Sequence, residues 1–104
     1  MKILNAFSLN MLANLTTNIK TEEISLEEAK KLLSGEINSA VGHLDTAKVF
    51  SSVLGVEVPM NRTTVQLHSG ETILVGQYIG PRLPEGATEL PQGSTIKWVI
   101  VEIK

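Results

Sequence analysis

The sequence predicts a single α/β domain, residues 1–104, in which a mixed sheet of about five strands carries two main helices. Three observations predict it. Two segments repeat apolar residues at helical spacing and have recognisable starts and stops. Other segments alternate, or run apolar, over strand lengths between turn-forming residues. And 104 residues, 42% hydrophobic and 19% charged, suit one ordinary globular domain rather than a disordered or fibrous chain.

Taken in order, Lys2 to Ala6 reads as a short first strand leading into a polar loop with Ser8 and Asn10. Thr16 to Glu22 alternates weakly, as an edge strand does. Ser25-Leu26-Glu27-Glu28 is a capping box: the serine oxygen accepts from a free helical N–H and Glu28 reaches back. Leu26, Ala29, Leu32 and Leu33 then form one apolar stripe, and Gly35 supplies the stop. A second helix is expected from Leu44 to Leu54, with Ala47, Phe50, Val53 and Leu54 on one face and Gly55 at its end. Arg62 to His68 is expected to be a strand, and the Ser69-Gly70 turn to bring Glu71 to Ile79 back against it as a hairpin. Ile73, Leu74, Val75 and Ile79 leave that second strand apolar on both faces, which suits a central position. A Gly/Pro-rich loop through Arg82 and Glu85 leads to the last strand, Thr95 to Ile103.

Composition narrows the chemistry. The absence of cysteine removes disulfides, zinc–thiolate sites and a cysteine nucleophile. Two histidines, His43 and His68, are too few for most transition-metal sites, so no metal and no cofactor are expected. No apolar run approaches the roughly 20 residues that span a bilayer. The N-terminal stretch is interrupted by Asn5, Ser8 and Asn10 and reads poorly as a signal peptide, so a reducing cytoplasm is the expected compartment. A net charge of −2 with scattered basic residues argues against coating long nucleic acid. A domain this small buries only about two thirds of its unfolded surface, so a subunit partner would add needed burial.

Several polar residues do not fit the core. Asn5, Ser8 and Asn10 lie beyond the first strand; they are ordinary turn formers, yet loops at strand ends are also where ligands bind. His43 precedes a helix in the small-residue run Ser39-Ala40-Val41-Gly42-His43. It can be a cap or surface residue, but an imidazole suits proton transfer at neutral pH, and a helix start attracts anions. His68, at a strand end beside a turn, reads as surface structure. Arg62 and Arg82 are the only arginines, and each is a candidate phosphate ligand or an ordinary surface residue; the plain alternative for the loop with Arg82 and Glu85 is a connection with a local salt bridge.

Together these segments resemble the viral ring nucleases that act as anti-CRISPR proteins against type III systems. The resemblance rests on Leu4-Asn5-Ala6-Phe7-Ser8-Leu9-Asn10-Met11-Leu12, Ile24-Ser25-Leu26-Glu27-Glu28-Ala29, Ser39-Ala40-Val41-Gly42-His43, Asn61-Arg62, Ser69-Gly70-Glu71 and Arg82-Leu83-Pro84-Glu85-Gly86, in the family's order. It implies a homodimer binding cyclic tetra-adenylate across its two-fold axis. It also implies metal-independent cleavage to linear di-adenylates ending in a 2′,3′-cyclic phosphate, and action in the host-cell cytoplasm. By motif, His43 would be the general acid, with Arg82 and Glu85 at the other active-site positions; Asn5, Ser8, Asn10, Arg62 and Gln77 would hold or orient the ligand. Gly80-Pro81 makes the stretch from Gln77 to Arg82 one residue longer than the family pattern, and nothing is carried over beyond Gly86. The rival expectations are a module that sequesters a cyclic nucleotide without cutting it, or one that binds protein.

Overall fold

The computed structural model describes Met1–Lys104. Its strands are β1 (Lys2–Leu4), β2 (Ile19–Ile24), β3 (Asn38–Ser39), β4 (Thr72–Ile79) and β5 (Thr95–Ile103); its helices are α1 (Leu26–Leu32) and α2 (Leu44–Leu54), with a 3-10 turn at Leu9–Met11. The strands form one mixed sheet in the order β2-β5-β4-β1-β3. β1 runs parallel to both β3 and β4, while β5 is antiparallel to β4 and β2. The predicted class is therefore the observed one, with β4 central and β2 on an edge.

Both helices begin where the sequence marks them. Ser25 Oγ accepts from the Glu28 N–H at 3.1 Å, and Glu28 Oε1 accepts from the Ser25 N–H at 3.2 Å, closing the capping box. At the other end α1 stops at Leu32, and the Leu33 N–H returns to the carbonyls of Ala29 and Lys30, so Gly35 lies past the stop and does not make it. α2 ends as expected, with Gly55 at φ +73° donating its N–H to Ser51 O.

The helices pack on one face of the sheet. Ala29 of α1, Leu33 at its C-cap, and Ala47, Phe50 and Leu54 of α2 share a core with Ile3, Ile24, Leu74 and Trp98. The opposite face carries Leu4, Ile73, Val75, Val101 and Ile103, covered only by loop residues such as Phe7, Leu12, Val65 and Leu67. No helix is long and apolar enough to cross a membrane.

Two expectations are corrected. Arg62–His68 is not a sheet strand: residues 61–64 are exposed, and Leu67 instead pairs with the chain around Met11–Ala13, its N–H donating to Met11 O and its carbonyl accepting from the Ala13 N–H. The alternation of Val65 and Leu67 serves to lay two side chains on the open sheet face, not to extend the sheet. The fifth strand is β3, two residues long, too short to show a period. Accordingly Glu71–Ile79 does not return on 62–68; β4 pairs with β5 from Thr72↔Glu102 to Ile79↔Thr95. The Ser69-Gly70 turn itself is present. Gly70 sits at φ +93°, and the Glu71 carboxylate closes the turn by accepting from the His68 N–H at 2.6 Å. That bond, aided by Lys2 at 3.5 Å, holds the Glu71 carboxyl below its ordinary pKa.

Candidate functional site

The parallel strands β1, β3 and β4 all point their carboxyl ends the same way, and in open α/β sheets ligands bind beyond such ends. Asn5 follows β1, Ala40–His43 follow β3, and the chain from Gly76 onward runs past the last β1 pair, Leu4↔Val75. The first two exits are tied together. Asn5 Oδ1 accepts from the Gly42 N–H at 3.4 Å, and Arg62 Nε donates to Gly42 O at 3.2 Å. Gly42, the residue just before His43, is thus held at both its N–H and its carbonyl. Behind it, buried Ser39 donates to Pro59 O and accepts from the Val41 N–H, while Asn61 Nδ2 donates to Ser39 O.

His43 is the N-cap of α2. Its carbonyl accepts from the Ala47 N–H at 2.9 Å, but its imidazole makes no capping bond and is exposed. The contrast with α1 is informative: Ser25 satisfies a first-turn N–H there, whereas no side chain caps the first turn of α2. Uncapped N–H groups and the positive end of the helix dipole favour an anion beside that turn.

A cleft of about 790 Å³ opens there. His43, Asp45 and Thr46 line it from the start of α2, Tyr78 and Gly80 from the end of β4, and Arg82 and Glu85 from the following loop. The three residues expected to carry chemistry are therefore together in one cavity. A second cavity of about 470 Å³ adjoins it, sharing Thr46 and Tyr78 as a wall. Asn5 and Gln77 line this one, with Phe7, Val75, Val99 and Val101 giving it an apolar floor. One end of the combined groove suits phosphate and the other suits a flat, partly apolar group. Ser8 and Asn10 stand exposed at the 3-10 turn and line neither cavity. Arg62, also exposed, lines neither cavity and touches the site only through its bond to Gly42, while His68 is an exposed turn residue, as expected.

Comparison with known proteins gives this architecture its relatives. A family model described as STIV B116-like matches residues 1–96. The chain belongs to the STIV B116-like family. B116 of Sulfolobus turreted icosahedral virus shares the fold at a TM-score of 0.80 and 27% identity, over 97% of both chains. "Uncharacterized protein 26" of Sulfolobus islandicus filamentous virus is 40% identical over 85 residues, covering 81% of this chain and 71% of that protein. "Uncharacterized protein ORF117" of Acidianus two-tailed virus is 40% identical over 68 residues, 62% of this chain and 57% of the other. These relatives are all viral proteins, and B116 has the fold described above.

Asp45, Thr46 and Tyr78 are site residues that sequence reasoning missed. An acid in a first helical turn and an aromatic in a strand have ordinary uses, so neither gave a signal.

Proposed function

We propose that this B116-like protein is a metal-independent ring nuclease that binds cyclic tetra-adenylate in a two-fold dimer and cleaves it, switching off type III CRISPR signalling. The observation that carries the reading is the convergence of His43, Arg82 and Glu85, from two separate elements, in one cleft beside an uncapped helix start. RNA brings its own nucleophile. The ribose 2′-oxygen attacks the adjacent phosphorus, the P–O5′ bond breaks, and a 2′,3′-cyclic phosphate forms. The 2′-hydroxyl proton leaves to solvent, and His43 delivers a proton to the departing O5′. Arg82 stabilises charge on the phosphoryl oxygens, and Glu85 orients Arg82 or the 2′-hydroxyl. Holding the two oxygens in line supplies several kcal/mol, about 7–11 in ideal intramolecular cases.

The sheet face opposite the helices supports the dimer. Gln77, Lys97 and Thr21 are exposed there beside half-buried Val99, with no helix over them. Thr21, Gln77 and Val99 also line the second cavity, so a second copy facing that side would close the cavity from above and bring its own copy to the same axis, with the ligand between them.

Incubation of labelled cyclic tetra-adenylate, followed by chromatography, tests the reading. Wild-type protein is expected to yield linear di-adenylates with or without EDTA. His43→Ala is expected to bind the ring but cleave it about 10²–10⁴-fold more slowly, the range a positioned acid contributes. Loss of wild-type turnover in EDTA would require a metal mechanism instead. Binding without any product would reduce the protein to a sequestering module.

A further inference from the structure

We infer that Asp45 and Tyr78 are positioning residues that hold the segment Arg82–Glu85 over the cleft, one at each end. This rests on the ring-nuclease reading for its catalytic consequence, though not for its geometry. The Tyr78 hydroxyl donates to Pro81 O at 2.6 Å, immediately before Arg82. The Gly86 N–H donates to Asp45 Oδ2 at 3.3 Å, immediately after Glu85. Between these two ties the chain has little else to fix it: Arg82, Pro84 and Glu85 are exposed and only Leu83 is half-buried.

The local sequence fits such a clamp. Gly86 lies at φ +82°, a turn in which the Ala87 N–H returns to Pro84 O at 3.1 Å, and Pro81 and Pro84 each fix a φ angle. Gly80 has no room for a side chain, since a Cβ there would lie 2.5 Å from Ser94 Cβ and 3.1 Å from the Tyr78 hydroxyl. The entry to the loop is therefore seated against the same hydroxyl that anchors it. Asp45 lies two residues beyond His43 in the first turn of α2. One short element thus carries the proposed acid and also ties down the loop that carries the proposed charge stabiliser. The clamp couples two halves of a site that the backbone alone leaves far apart in sequence.

Steady-state cleavage and backbone amide exchange together test this in the full chain. Tyr78→Phe and Asp45→Ala are each expected to lower kcat about 3–30-fold, within the loss that misplacing a contact by about 1 Å causes. KM is expected to rise less than kcat falls, by no more than the roughly 3–10-fold that loss of the Arg82 fork costs, because Asn5, Gln77 and Arg62 are untouched. Asp45→Asn keeps an acceptor oxygen and is expected to restore most of the rate. In an Arg82→Ala background, Tyr78→Phe is expected to cost nothing further. Wild-type rates in both single variants, or an Asp45→Asn as slow as Asp45→Ala, overturn the inference. The Gly86 amide is expected to exchange faster in Asp45→Ala and at the wild-type rate in Asp45→Asn. Unchanged exchange in Asp45→Ala refutes the clamp, whereas a wild type that neither binds nor cuts the ring refutes only the ring-nuclease reading.

Discussion

Gly76 in β4 has two aromatic rings resting on it, and filling its missing side chain gives a test of the core beneath the site. A Cβ at this position would lie 2.5 Å from Trp98 Cζ3 and 2.7 and 2.8 Å from two ring carbons of Phe50. Those gaps fall about 0.6–0.9 Å short of the 3.4 Å at which ordinary contact begins. Neither ring can yield easily: Phe50 is 0% and Trp98 3% exposed, and they lock edge to face at 5.1 Å. Overpacking of this kind costs about 1–3 kcal/mol. Alanine also restricts the unfolded chain, which returns about 0.4–1 kcal/mol. The net expected for Gly76→Ala is a destabilisation of about 1–2 kcal/mol, or a fall in Tm of roughly 5–15 °C for a domain this size. Thermal melts followed by circular dichroism and by Trp98 fluorescence read it. Phe50→Leu is expected to remove the Phe50 share of the clash and to give Trp98, which packs edge-on against Phe50, room to shift, so the double variant should lose less than the two single losses combined. An unchanged or raised Tm, or strict additivity, would refute the packing described. Gln77 and Tyr78 follow Gly76 directly, so the same crowding is expected to reach both cavities.

Two further outcomes follow from charge. Glu71 is held below the ordinary carboxyl value of 4.5, first by the His68 N–H and then by Lys2, so its ionised form stabilises the fold above that pH and ceases to do so as acid titrates it. Urea melts should therefore show Glu71→Gln less stable by about 0.5–1 kcal/mol at neutral pH, discounted for exposure, with the gap closing below pH 4.5; a gap that widens in acid would contradict the assignment. Arg62→Lys and Arg82→Lys should each weaken binding of cyclic tetra-adenylate about 3–10-fold, because an ammonium lacks the planar fork that matches phosphate, and Arg62→Lys also loses the Nε bond to Gly42. Isothermal titration with both variants at wild-type affinity would remove the guanidinium reading.

Elements whose ends are written in side chains were legible. The Ser25–Glu28 box and Gly55 are local devices, and β4 and β5 are long enough for their apolar pattern to speak. β3 was not legible because a strand of two residues, Asn38 and Ser39, has no pattern; parallel pairing with Ile3 makes it a strand. Residues 62–68 misled for the converse reason. Val65 and Leu67 alternate as strand residues do, but they bury themselves over the open sheet face while the backbone bonds to Met11 and Ala13. In the site, His43, Arg82 and Glu85 each had a bland alternative, and only the combined resemblance grouped them. Asn5 and Arg62 were read as ligand holders, and the structure adds a task that no spacing reveals: both bond to Gly42.

A net charge of −2 is unexpected for the proposed polyanionic ligand, and the arrangement of the charges bears on it. Within one protomer the cleft sets Arg82 and His43 against Asp45 and Glu85, so there is no strong positive field to draw in nucleic acid at large. Asp45, however, already accepts from the Gly86 N–H and sits at the positive end of α2, which tempers its charge toward a ligand. The arginines that remain are Arg62, bonded to Gly42, and Arg82, whose side chain is exposed on a loop tied at Pro81 by Tyr78. In the proposed two-fold dimer they become four guanidinium groups around one axis. A cyclic tetranucleotide offers four phosphates that can share that symmetry, and a linear polymer does not. Under the proposed function, selectivity for a small closed ring would follow from placement rather than from net charge, and a total of −2 would disfavour longer strands.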